Sequence, residues 1–92
     1  MIQTVLQVKP VNANKFSNIL VYPNPAKNEL NIVTNKDLIG KEYQLCDIYG
    51  RKILKGKLTK ELTKLLVGKL ADGIYILQVN GENKYTFKVI KN

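Results

Sequence analysis

Gly73-Ile74-Tyr75-Ile76-Leu77-Gln78-Val79-Asn80-Gly81-Glu82-Asn83-Lys84-Tyr85-Thr86-Phe87-Lys88-Val89-Ile90-Lys91 is the stretch that decides how this chain folds. From Gly73 to Val79 both alternating faces are apolar: Ile74 and Ile76 point one way, and Tyr75, Leu77 and Val79 the other. That pattern predicts a central strand covered on both sides. Asn80-Gly81 is the favoured pair for a tight type I′ turn, in which both positions need positive φ, so Lys84–Lys91 should fold back as the last strand. Tyr85, Phe87 and Val89 then face the core, and Thr86 and Lys88 face out.

Upstream, short apolar runs alternate with Gly, Pro, Asn and Asp, the rhythm of an all-β sandwich. Ile19–Tyr22 reads as a strand that stops at Pro23-Asn24-Pro25, where two residues lack a backbone donor. Glu29–Thr34 comes next, with Leu30 and Ile32 inward, and Asn35–Gly40 reads as loop. Lys41–Asp47 puts Tyr43 and Leu45 on one face. Asp47-Ile48-Tyr49-Gly50 has Asp first and Gly fourth, as a type I turn requires, and leads into a hairpin with Arg51–Leu58. Thr59–Ala71 is ambiguous. Leu62, Leu65, Leu66 and Leu70 recur at three- and four-residue steps, and that periodicity taken alone predicts a helix.

At the other end, Ile2, Thr4, Leu6 and Val8 share one face of an alternating piece, either an edge strand or the tail of a preceding region. Residues 10–17 read as linker. The predicted organisation is residues 1–18 as linker or the tail of a preceding region and residues 19–92 as one domain, since 92 residues at 10.4 kDa make a single core. No run of about 18 apolar residues crosses a membrane, and Met1-Ile2-Gln3-Thr4 lacks the basic start of a secretory signal.

The residue inventory excludes most chemistry. With no His, the commonest general base and metal ligand is missing, together with every Ser-His or Cys-His pair. Asp37, Glu42, Asp47, Glu61, Asp72 and Glu82 never take the spacing of a calcium loop. Gly50–Lys57 has one residue too many between its glycines for a phosphate loop, and Leu58 stands where Ser or Thr is required. Ser17 has no base beyond Lys15 to activate it, and Cys46, within an apolar stretch, reads as a small packed side chain. No catalytic residue, metal or cofactor is expected.

The net charge is +8, and fourteen of the fifteen basic residues are Lys. Arg reads guanine edges and grips phosphate bidentately, whereas Lys is a solvated point charge, so specific nucleic-acid reading is disfavoured. Lys52, Lys55, Lys57 and Lys60 read as a solvated face that blunts strand edges; attraction to a membrane surface or to nucleic acid is the sharper alternative.

In order, Val21-Tyr22-Pro23-Asn24-Pro25, Asp47-Ile48-Tyr49-Gly50-Arg51, Leu70-Ala71-Asp72-Gly73-Ile74-Tyr75 and Lys88-Val89-Ile90-Lys91 resemble the type A C-terminal sorting domains of the bacterial type IX secretion system, over about residues 19–92. The resemblance implies an immunoglobulin-like β-sandwich of about seven antiparallel strands, with a strand and tight turn within residues 59–73 in place of the helix.

It further implies a non-enzymatic signal in a Gram-negative bacterium. Its cargo passes through the periplasm and is led across the outer membrane by the translocon and its shuttle component. A surface sortase cuts before the domain, here within residues 11–18, and the product stays at the cell surface or is secreted. Carried over position by position, the recognition residues are Pro23, Asn24, Pro25, Gly50, Gly73, Tyr75, Lys88, Val89, Ile90 and Lys91, with strand addition onto the last strand as one mode of reading it. The Lys-rich composition and Cys46 depart from the family's pattern. An exposed edge leaves self-association open, and the competing function is a carbohydrate- or surface-binding sandwich module.

Overall fold

The computed structural model describes residues 19–92, so the readings of Ile2–Val8, the linker and the Ser17–Lys15 pair lie outside the described residues. Seven strands succeed one another: β1 (Leu20–Tyr22), β2 (Glu29–Val33), β3 (Glu42–Asp47), β4 (Lys52–Lys57), β5 (Leu62–Leu66), β6 (Gly73–Asn80) and β7 (Lys84–Lys91). They form two antiparallel sheets, β1-β2-β5 and β4-β3-β6-β7. No α-helix occurs among the described residues; a single 3-10 turn at Lys36–Leu38 buries Leu38 within the predicted loop.

The two inner faces meet at Leu30 and Ile32 of β2, Leu45 of β3, Leu77 and Val79 of β6, and Leu58 just past β4, all fully buried. Register explains why these residues and not their neighbours. Leu45 pairs with Leu77 and Leu77 with Phe87, so one inward row crosses three strands, while the even-numbered residues of β6 and β7 point away. Each such aliphatic side chain contributes about 1.5–3 kcal/mol by leaving water. Between β3 and β4 the register shifts at Leu45/Cys46, where Ile53 is the extra residue of a bulge, so Ile53 and Leu54 both pack on the core.

Two expectations need correction, and one ambiguity is resolved. Over Thr59–Ala71 the helix that periodicity alone predicts is absent, and the strand that the resemblance implies is present. β5 pairs along its whole length with β2, from Glu29↔Leu66 to Val33↔Leu62, and strand alternation puts Thr63, Leu65 and Val67 inward. Leu62 and Leu66 face solvent, so the helical spacing of the leucines does not correspond to one buried face.

β6 is central, as predicted, but covered on one side only: Tyr75, Leu77 and Val79 are buried whereas Ile74 is 43% exposed. The hairpin between β6 and β7 forms without a type I′ turn. Asn80 pairs with Lys84 across a three-residue loop closed by the Gly81 N–H to the Asn83 C=O, and neither Asn80 nor Gly81 has positive φ. Glycine at 81 answers to space instead, since a Cβ there would lie 2.9 Å from a methyl of buried Leu38.

Candidate functional site

Pro23 and Pro25 cannot donate to a ladder, so the pairing of this segment must come from Asn24 and from the residues after Pro25. β1 does end at Tyr22, and both the Tyr22–Pro23 and the Asn24–Pro25 peptide bonds are cis. The Asn24 side chain then behaves as a peptide unit. Its Oδ1 accepts the Ile90 N–H at 2.9 Å and its Nδ2 donates to the Lys88 C=O at 2.9 Å. The ladder continues on the main chain: the Ala26 N–H donates to the Ile90 C=O at 2.7 Å, and the Asn92 N–H donates to the Ala26 C=O at 2.9 Å. Ala26, fully buried, makes a parallel bridge with Lys91.

These bonds use the outward backbone groups of residues 88, 90 and 92. β7 is an edge strand, but its C-terminal half is already paired, which corrects the expectation that a receptor could add a strand there. Among the described residues, the Lys88 N–H and the outward groups at Lys84 and Thr86 take no part in this clip.

The other side of β7's last stretch of ladder is β6, through Gly73↔Lys91 and Tyr75↔Val89. Gly73 has φ +152°, a conformation that disfavours any side chain, and this lets the chain leave the β5–β6 loop and enter β6 directly. Tyr75 buries its ring, and its hydroxyl donates to the Ala71 C=O at 2.6 Å. Lys91 shares the inward parity of Val89 and is only 6% exposed. Its stem is covered while Nζ reaches the Asn92 C=O at 3.0 Å and exposed Asp72 at 3.7 Å, a lysine extending along the core to its polar rim.

Beyond β6 lies the β3–β4 turn, since Asp47 pairs with Tyr75. The Gly50 N–H donates to the Asp47 C=O, and Gly50 takes φ +88°. The Asp47 carboxylate organises the rest. Oδ1 accepts the Tyr49 and Arg51 N–H groups, each at 2.9 Å, and Oδ2 accepts from Arg51 Nε at 2.7 Å. Burial pushes its pKa up, but the hydrogen bonds from Arg51 and Tyr49 and the Arg51 charge outweigh it and hold the carboxyl below its ordinary value. Between this turn and the β5–β6 loop lies an open hollow of about 430 Å³ with Ile48, Tyr49, Leu70 and Ile74 on its walls.

Pro23, Asn24, Pro25, Gly73, Tyr75, Lys88, Val89, Ile90 and Lys91 thus come together at one end of the sandwich, with Gly50 in the neighbouring turn at that end. Their roles divide by exposure. Val89 and Lys91 are buried and fasten the strand; Lys88 is exposed and Ile90 half-buried on the outer face. Sequence reasoning missed Ala26 and the Asp47 carboxylate cap. The available signal was an Asn flanked by two residues without N–H groups, whose side chain brings a donor to a segment poor in them.

Among the described residues no group of three His, Cys, Asp or Glu side chains could hold a metal, and no helix is long and apolar enough to cross a membrane. A search of curated proteins gave no match. A family model described as Secretion system C-terminal sorting domain matches residues 20–92, from the first residue of β1 to the end of the clipped terminal strand. That family is one of sorting signals and not of catalysts, and its members mark proteins for export to the cell surface or for secretion. The chain belongs to the C-terminal sorting domains of type IX secretion.

Proposed function

We propose that the end of the sandwich holding the Pro23-Asn24-Pro25 clip and the last residues of β7 is the part read by the outer-membrane translocon and its shuttle component. The observation carrying this reading is the Asn24 side chain bonded to Lys88 and Ile90, which ties together two motif elements 64 and 66 residues apart. In this reading Pro23, Asn24, Pro25, Gly73, Tyr75, Val89 and Lys91 position the surface, and Gly50 shapes the adjoining turn. Lys88 and Ile90 are the side chains the surface presents. Recognition is of a preformed surface and needs no added strand, because the clip occupies the backbone groups a visiting strand would use.

Residues 1–18 then lie toward the cargo, residues 19–92 are the sorting domain, and a surface sortase cuts within residues 11–18 after the cargo has crossed the periplasm of a Gram-negative cell. The carbohydrate-binding alternative finds little support. Of the two exposed tyrosines, Tyr22 ends β1 and Tyr49 lies in the β3–β4 turn, and the chain has no Trp to build a stacking platform.

The test is a reporter directed to the periplasm and fused to residues 19–92, in a host with this secretion system. Delivery outside the cell supports the reading, and delivery should be lost on removing Lys88–Asn92. A folded fusion that stays in the periplasm overturns it.

A further inference from the structure

The charge of this chain is unevenly placed. On the outer face of the four-stranded sheet, register sets out successive rows: Lys57-Glu42-Asn80-Lys84, Lys55-Gln44-Gln78-Thr86, Lys52-Cys46-Ile76-Lys88, and Ile74-Ile90. Five lysines and one glutamate share that face. In the rest of the described chain eight basic residues (Lys27, Lys36, Lys41, Arg51, Lys60, Lys64, Lys69, Lys91) meet six acidic ones (Glu29, Asp37, Asp47, Glu61, Asp72, Glu82). One sheet face therefore carries four of the six net positive charges of residues 19–92. The ion pairs among the described residues use Arg51, Lys64 and Lys91, and none uses a lysine of this face.

Lysines of like charge repel, and a face built only to stay in water has no reason to hold an apolar strip among them. Here Ile74, 43% exposed, and half-buried Ile76 and Ile90 form such a strip, while Cys46 of the same row is buried. The strip continues at the sandwich end into the hollow where Ile48 is 63% and Tyr49 81% exposed. Lysine ammoniums around exposed isoleucine and a tyrosine on a broad sheet match a bilayer surface: phosphates meet the lysines, the headgroup boundary takes the apolar side chains, and Tyr favours that boundary.

We infer that the outer face of the β4-β3-β6-β7 sheet docks on an anionic, phosphate-bearing lipid surface, with Lys52, Lys55, Lys57, Lys84 and Lys88 on the headgroups and Ile48, Tyr49 and Ile74 seated at the boundary. A bilayer suits the face better than nucleic acid, which would call for Arg and for bidentate contacts. It also suits the face better than an acidic protein, whose carboxylates would leave the isoleucine strip uncovered.

The experiment is co-sedimentation of the 92-residue chain with vesicles. At about 0.1 M salt, where charges act over about 10 Å, binding to phosphatidylcholine vesicles with about one-third phosphatidylglycerol should exceed binding to pure phosphatidylcholine by at least about a hundredfold. Near 1 M salt, where the range is about 3 Å, that preference should fall away. Each lysine near such a surface contributes about fivefold, so the triple variant Lys52→Gln, Lys55→Gln, Lys57→Gln should lose on the order of a hundredfold. A second triple, Lys27→Gln, Lys36→Gln, Lys60→Gln, removes the same charge off the face and should retain most of the binding. All six side chains are exposed, and a thermal melt checks that both triples fold.

Equal loss from the two triples would mean that net charge alone attracts, and would overturn the proposal. So would indifference to anionic lipid, or binding to polyglutamate as tight as to the anionic vesicles, which would assign the face to an acidic protein. Because vesicle binding is read without any secretion step, its failure leaves the sorting function untouched.

Discussion

Asn24 does with one side chain what a strand would do with a peptide group, and the two bonds dictate its orientation. Only the amide oxygen can face the Ile90 N–H, and only the amide nitrogen the Lys88 C=O. Asn24→Ala should cost about 1–2 kcal/mol in urea unfolding and speed hydrogen exchange at the Ile90 amide. Asn24→Asp should also destabilise, because a carboxylate keeps the acceptor for Ile90 but has no donor for Lys88. Asp47 works by acceptance alone, and its depressed pKa fixes the sign of its pH dependence. The ionised carboxylate contributes stability above its unfolded pKa, near 4, and that contribution is lost as pH falls through the lower folded value. Asp47→Asn should therefore lower the melting temperature at pH 7, with the gap to the parent chain closing at still lower pH; a gap independent of pH would contradict the assignment.

At the scale of elements, β5 is the instructive strand. Leu65 is buried and Leu66 is 73% exposed, though both belong to the spacing that predicts a helix. Leu65→Ala should destabilise by about 2–5 kcal/mol, as for a core truncation. Leu66→Ala should change stability by no more than about 0.5 kcal/mol, whereas a helix using both leucines would make the two losses comparable. β7 is readable in the sequence because alternation from Tyr85 to Val89 admits one inward face, and β6 is readable as a central strand, although apolar Ile74 and Ile76 hide which of its faces is buried. β5 is not, because its state is decided by β2, whose Glu29 pairs with Leu66 across a gap that no local window spans. The β6–β7 connection shows the same limit. Asn80-Gly81 has the chemistry of a tight turn, but the 3-10 turn that carries Leu38 comes close to Gly81 from more than forty residues upstream.

For the molecule as a whole, two sheets hold the chain so that four separated motif elements converge at one end, while most of the unbalanced charge spreads over the outer face of the larger sheet. The elements themselves can be read from the sequence by resemblance. Their convergence cannot, because it is carried by a side chain bonding across 64 and 66 residues and by the parallel bridge from Ala26 to Lys91. Nor does the sequence separate buried Val89 and Lys91 from presented Lys88 and Ile90, since a lysine near the terminus reads as exposed until the inward parity of β7 is traced to its end.

The proposal that this end is the part the translocon reads is most exposed to a comparison within one strand. Lys84 and Lys88 are the same residue type on the same outer face of β7, four residues apart, only Lys88 is bonded to the Asn24 clip, and neither substitution disturbs the core. Secretion of a reporter fused to residues 19–92 should fall on Lys88→Gln and hold on Lys84→Gln, with equal melting temperatures for the two. Equal secretion from both variants would contradict the account.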